Sequence, residues 1–150
     1  MARWLGIDHG TRRLGVAVAD TETGIASPVE QLLAGDQRLT ERIRRVAREY
    51  AADGIVVGWP LNADRTEGPQ AVLARRFAAA LARKTGIDVR LWDEHLTSFE
   101  ADEKLRGQLT RKKRRRRHDA VAAAAILADF LAHDGPDAAP RPADVEGPAP

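Results

Sequence analysis

Leu5-Gly6-Ile7-Asp8-His9-Gly10-Thr11-Arg12-Arg13-Leu14-Gly15-Val16-Ala17 is the stretch that decides the fold. Residues 3–8 read as a short apolar strand, 9–13 as a turn, and 14–19 as a second strand folded back on the first as a hairpin. Asp8 closes the apolar run, and Gly10 and Gly15 take two positions of close backbone approach. Outward from this hairpin, residues 20–24 form a turn cluster and 28–33 a third strand. Pro28 at its start suits a sheet edge, because proline has no N–H to give to a ladder.

The hydrophobic period then changes from two to helical. Leu39, Ile43, Val46, Ala47 and Tyr50 predict a helix over about 36–52 with arginines on its other face. Residues 55–58 read as a buried strand and 59–69 as a loop rich in turn formers. A helix is expected over about 69–85, ended by Gly86, and a strand over 87–93. Thr97-Ser98-Phe99-Glu100 carries a capping-box pattern for a helix to about Arg106. Seven consecutive basic residues, 111–117, are expected as a mobile loop because adjacent like charges repel, and 118–133 as the last helix. Residues 134–150 hold five prolines among alanines and acids without apolar periodicity, and are expected to be a disordered acidic tail. The pattern predicts an α/β domain over 1–133 with a mixed five-stranded sheet, its first three strands antiparallel, flanked by helices.

Composition limits the function classes. The absence of cysteine removes disulfides, thiolate zinc sites and cysteine nucleophiles. No apolar stretch reaches the roughly 20 residues that span a bilayer. The N-terminal residues carry no signal-peptide pattern, so a cytoplasmic protein is expected. The tail has four acids against Arg141 and carries −3, which leaves +5 on residues 1–133. That charge is concentrated in residues 111–117, and such a segment favours a polyanion such as nucleic acid.

Three acids stand in settings that suit a metal-binding carboxylate. Asp8 and Glu94 each end an apolar strand, and Asp119 shares a helical stripe with Ala123, Ile126 and Phe130. A carboxylate at the end of a buried strand is costly unless a cation or donors balance it. Alone, each has a structural explanation: Asp8 as a turn cap, Glu94 as half of a solvated pair with Asp93, Asp119 as a helix cap. Together they would supply oxygen ligands for Mg2+ or Mn2+, the hard cations that activate water and orient a phosphodiester. The four histidines lack zinc-ligand spacing, although His118 beside Asp119 is a candidate phosphate contact. Asn62, Thr66, Glu67 and Gly68 follow a strand end, where ligands of α/β sheets often bind.

The hairpin is shared by two fold groups, since it resembles both the phosphate loop of actin- and hexokinase-type ATPases and the first strand of ribonuclease H-like nucleases. Further motifs narrow the choice. Residues 5–17, 57–71, 92–98 (Trp-Asp-Glu-His-Leu-Thr-Ser) and 118–123 (His-Asp-Ala-Val-Ala-Ala) resemble, in order, four motifs of the YqgF/RuvX family. These are candidate pre-16S rRNA nucleases related to Holliday junction resolvases. The resemblance covers about residues 3–132 and implies a ribonuclease H-like fold, metal-dependent cleavage of nucleic acid and maturation of the 5′ end of 16S rRNA in the bacterial cytoplasm. It maps the catalytic acids onto Asp8, Glu94 and Asp119. This chain departs from the family pattern at His95, where arginine is usual, and at Trp59 and Arg65, where leucine and glycine are common.

The reading is therefore a metal-dependent nuclease with Asp8, Glu94 and Asp119 as ligands and catalytic acids. Arg12, Arg13, Asn62, Thr66, Arg111, Lys112, Lys113, Arg114 and His118 are expected to hold substrate. The expected partners are pre-rRNA or structured DNA and ribosomal precursor particles, with no membrane. Two alternatives are a DNA junction resolvase, which needs a symmetric dimer, and a non-catalytic RNA-binding assembly factor. An actin-type ATP module would need a duplicated fold, for which the chain is too short.

Overall fold

A computed structural model describes residues 2–94 and 111–145, with residues 111–119 described by their backbone alone. Strands β1 (Arg3–His9), β2 (Arg13–Asp20) and β3 (Ala26–Leu33) form an antiparallel meander. Strands β4 (Gly54–Trp59) and β5 (Asp88–Asp93) then add in parallel on the other side of β1, giving the order β3-β2-β1-β4-β5. The expected mixed sheet is thus formed, with β3 on an edge. Its register slips at Val16/Ala17, where Glu30 and Pro28 are the successive partners and Val29 is extra. The bulge and Pro28 both break the edge ladder, which discourages pairing with another chain.

Helices α1 (Leu39–Glu49) and α2 (Pro69–Thr85) cover one face of the sheet. Leu39, Ile43, Val46 and Ala47 of α1 and Ala74, Ala78 and Leu81 of α2 close over Leu5, Ile7, Leu14, Val16, Ile55, Val57 and Leu91. Each fully buried Leu or Ile there contributes about 1.5–3 kcal/mol. Helix α3 (Arg111–Ala132) covers the opposite face and runs antiparallel to β1. Phe130 packs on Trp4 with rings 5.0 Å apart, while a Cβ on Gly6 would lie 2.7 Å from Leu127 Cβ and 2.8 Å from the Ala123 oxygen. Gly6 therefore lets α3 lie directly on β1. The Trp92 indole donates to Asp129 Oδ2 at 2.7 Å and ties β5 to the same helix.

Two expectations are corrected. The basic run 111–117 is the opening of α3 and not a loop. Arginine and lysine are good helix formers, and the packed segment that follows pays the nucleation cost, so the helix propagates through them despite their repulsion. The expected disordered tail is ordered over 134–145: α4 (Gly135–Ala138) and a 3-10 turn (Pro142–Asp144) fold back along β5. The Leu91 N–H donates to the Pro140 carbonyl at 2.9 Å, and buried Arg90 donates to the Ala139 carbonyl at 2.7 Å. Asp88 holds both Arg90 and Arg141, at 2.9 and 3.1 Å. The segment closes the free edge of β5, a tertiary role that leaves no local periodicity to read. The capping-box helix expected from Thr97 to Arg106 and residues 146–150 lie outside the described residues.

Candidate active site

Asp8 and Glu94 meet at the C-terminal ends of the parallel strands. Ile7 pairs with Val57 and Trp59 with Asp93, so Asp8 sits level with Gly58 and Glu94 lies just beyond the last pair. Side chains of a strand alternate faces. Asp8 and Glu94 thus share the α3 face with Trp4, Gly6 and Trp92. His9 goes to the other face and stacks on Phe77 of α2 at 4.5 Å. Burial lowers the His9 pKa, which favours a neutral ring fixed in the packing.

Gly58 on β4, between β1 and β5, makes the meeting possible. A Cβ there would lie 2.1 Å from Glu94 Oε2 and 2.7 Å from Ile126 Cδ1. Glu94 therefore occupies the space that any other residue at 58 would fill, leaning across β4 toward β1. Its N–H donates to the Trp59 carbonyl at 3.3 Å, and only 8% of its surface is exposed. Burial raises its pKa from 4.5 to about 9, with the negative charge of Asp8, a hydrogen bond shared with Asp8 and the charge of Asp93 adding to the rise. Two carboxyls pressed together in a dry setting share a proton unless a cation replaces it.

The loop after β4 is braced from within. Glu67 accepts from the Trp59 indole at 3.0 Å and from Arg75 Nε at 2.9 Å, and both members of the Glu67–Arg75 pair are largely buried. Asn62 Nδ2 donates to Thr66 Oγ1 at 3.0 Å, and Thr66 donates its N–H and hydroxyl to Asp64. Asn62 and Thr66 are both exposed and bond each other, not the acid pair. Arg65 has φ 65°, in the left-handed region that glycine adopts freely. The position where glycine is common in the family is thus one that needs a left-handed backbone, and here arginine takes it. Trp59, in place of the usual leucine, gains an indole bond to Glu67.

Arg12 and Arg13 are exposed on the β1–β2 turn at the same end of the sheet as Asp8. On α3, Phe130 lies at Trp4 and Ala123 and Leu127 at Gly6, so position 119, one turn before Ala123, comes to the Asp8 end of β1. Because the helix begins at Arg111, residue 119 stands in its third turn, and the helix-cap explanation for this aspartate does not apply. The side chains of Asp119, Arg111, Lys112, Lys113, Arg114 and His118 lie outside the described residues, as does His95. Among the described residues no set of three His, Cys, Asp or Glu side chains gathers into a metal site. The described part of the acid cluster is the pair Asp8–Glu94.

Sequence reasoning did not single out Gly58, and it took Glu67 as a possible ligand contact and not as a brace for Trp59 and Arg75. A glycine inside an otherwise β-branched strand signals close approach of another group, and that signal was present at Gly58. The Glu67–Trp59–Arg75 contact spans loop and helix and has no local pattern.

The family model described as "RuvX: Holliday junction resolvase" matches residues 2–133. The chain belongs to the RuvX family. A Geobacillus thermodenitrificans relative described as a candidate pre-16S rRNA nuclease is 43% identical over 133 residues, covering 86% of this chain and 96% of the relative. An Anaeromyxobacter relative (strain K) of the same description is 44% identical over 139 residues, covering 89% and 99%. Among solved structures, Thermus thermophilus RuvC in complex with a Holliday junction substrate is similar at a TM-score of 0.59 and 18% identity, covering 91% of this chain and 98% of that one. A second T. thermophilus RuvC structure gives 0.54 at 16% identity, covering 89% of this chain and 97% of that one. The fold of this RuvX chain is ribonuclease H-like, as the motif order implied.

Proposed function

We propose that this RuvX chain is a divalent-metal-dependent nuclease that processes the 5′ end of pre-16S rRNA in the bacterial cytoplasm, with Asp8, Glu94 and Asp119 as ligands for Mg2+ or Mn2+. The observation that carries the reading is the buried Glu94 carboxyl held against Asp8 over Gly58. The donor set fits a hard divalent cation: oxygens only, two acids in contact, one of them stripped of water. Membership of the RuvX family and the description of its relatives support phosphodiester hydrolysis and the RNA substrate. Among the described residues no helix is long and apolar enough to cross a membrane.

In this reading Glu94 contributes a desolvated negative charge, whose attraction for a dication is strong because little water competes for it. Asp8, half-buried at the open end of β1, faces both cation and substrate. When bound, the cation supplies Lewis acidity toward phosphate and water. Arg12 and Arg13, with Arg111, Lys112, Lys113, Arg114 and His118, hold the phosphate backbone. Asn62 and Thr66 touch substrate from a loop already shaped by their mutual bond. Glu67 keeps Trp59 in place, and the Trp59 carbonyl in turn fixes the backbone of Glu94.

The test is cleavage of a structured RNA carrying the 16S 5′ leader, with and without Mn2+, by the parent and by Asp8→Asn. The expected outcome is metal-dependent cleavage that falls by roughly a thousandfold or more in the variant. Equal rates for the two proteins, or cleavage confined to four-way DNA junctions, would overturn the reading.

A further inference from the structure

Helix α1 carries a basic groove that the acid pair does not use. Arg38, Glu41, Arg42, Arg44, Arg45 and Arg48 line a depression of about 310 Å³ on its outer side. Two of these arginines are engaged: Arg42 with Asp36 at 2.6 Å, and Arg44 with Glu41 and the Lys84 carbonyl. Arg38, Arg45 and Arg48 are exposed and hold no ion pair among the described residues. Arg38, at the start of α1, acts on Asp36 through its charge, but the like charges along this short helix still repel each other, and a polyanion relieves that repulsion.

The groove is joined to the site by the chain's own path. The end of β3 lies beside the β1–β2 turn, since Leu33 pairs with Arg13 and the Ala34 N–H donates to the Arg12 carbonyl at 2.9 Å. Arg38 follows shortly after, at the Asp8 end of the sheet. The other end of α1 lies by the start of β1, where the Asp53 N–H donates to the Arg3 carbonyl at 2.7 Å. Arginines therefore run from the rim at Arg12 and Arg13, through Arg38, to Arg45 and Arg48 at the far end. Helix α1 covers the face opposite the one that holds Asp8 and Glu94. A strand that touches both must bend over the rim. A double helix, stiff over many base pairs, resists that bend, and a single strand does not.

We infer that the α1 groove is a phosphate-binding track for single-stranded RNA flanking the cleavage position, reached over the Arg12–Arg13 rim. The inference rests on the nuclease reading for the identity of the polyanion. Its test is the salt dependence of binding of an unstructured 30-nucleotide RNA to the Asp8→Asn protein and to the same protein carrying Arg38→Gln, Arg45→Gln and Arg48→Gln. Three lost phosphate contacts should lower the slope of log affinity against log salt by about 2, with a smaller effect on a 30-base-pair RNA duplex. Thermal unfolding and the single Arg45→Glu variant, expected to weaken binding by itself, separate this from misfolding. Coincident slopes for folded proteins would overturn the track, as would an equal loss on duplex RNA. Cleavage of the leader RNA by the parent keeps the two readings apart. Cleavage with coincident slopes removes the track alone, and a lost slope without any cleavage removes the nuclease reading and leaves the track.

Discussion

The two faces of the sheet are built from different materials. Under α1 and α2 the core is Leu5, Ile7, Leu14, Val16, Ile55, Val57 and Leu91 against Ile43, Val46 and Leu81. Under α3 it is Ala17, Ala19, Ala123 and Ala124 with Trp4, Leu127 and Phe130, and glycines 6 and 58 let α3 and Glu94 approach the strand backbone. The first face is filled by large aliphatic side chains that interlock. The second gives up side-chain volume along β1 and β4, and Glu94 occupies part of what is freed. The difference teaches that the aliphatic core and the acid pair are separated by the pleat: alternate residues of the same strands, Ile7 and Asp8 or Val57 and Gly58, face one or the other.

The largest effect expected from breaking this division is on the aliphatic face. Ile43→Ala removes a fully buried side chain and should lower unfolding free energy by about 2–5 kcal/mol in urea titration, with Mn2+ affinity unchanged. A comparable loss of metal affinity would show that the faces are not separate. Next is Gly58→Ala, whose methyl would collide with Glu94 and Ile126. Displacing Glu94 by about 1 Å should lower the cleavage rate about a hundredfold, measured on the leader RNA at saturating Mn2+. An unchanged rate would mean that Glu94 need not lie over β4.

A smaller effect follows from the raised pKa of Glu94. Without metal, the folded state keeps a proton that the unfolded chain releases between 4.5 and about 9. Stability of the metal-free protein should therefore fall as pH rises through that window, and level off above it. Glu94→Gln carries no titrating carboxyl there and should flatten this part of the profile. Parallel profiles from chemical unfolding of the two proteins would contradict the burial argument.

Much of this was legible in the chain because its signals are local. The hairpin around Gly10 and the helix from Pro69 to Thr85 follow from periods of 2.0 and 3.6. Asp8 and Glu94 stood out as charges at the ends of apolar strands, and the structure brings those two together. What the sequence did not disclose depends on distant partners. The basic run reads as a loop by its charge, yet it continues a helix that Ala123, Leu127 and Phe130 anchor. The proline-rich segment lacks periodicity because it follows the edge of β5, held by Leu91, Arg90 and Asp88. Glu67 reads as one polar loop residue among several, and only the fold shows it holding Trp59 and Arg75.

The central claim is that Asp8 and Glu94 are brought together for a divalent cation, and Mn2+ calorimetry at pH 7.5 tests it most directly. In buffers of different ionisation enthalpy, the parent should bind Mn2+ and release close to one proton per site, because the carboxyl of Glu94 is protonated at that pH without metal. Glu94→Gln should release no such proton and bind at least about tenfold more weakly. Binding of equal strength and equal proton release in both proteins would contradict the account.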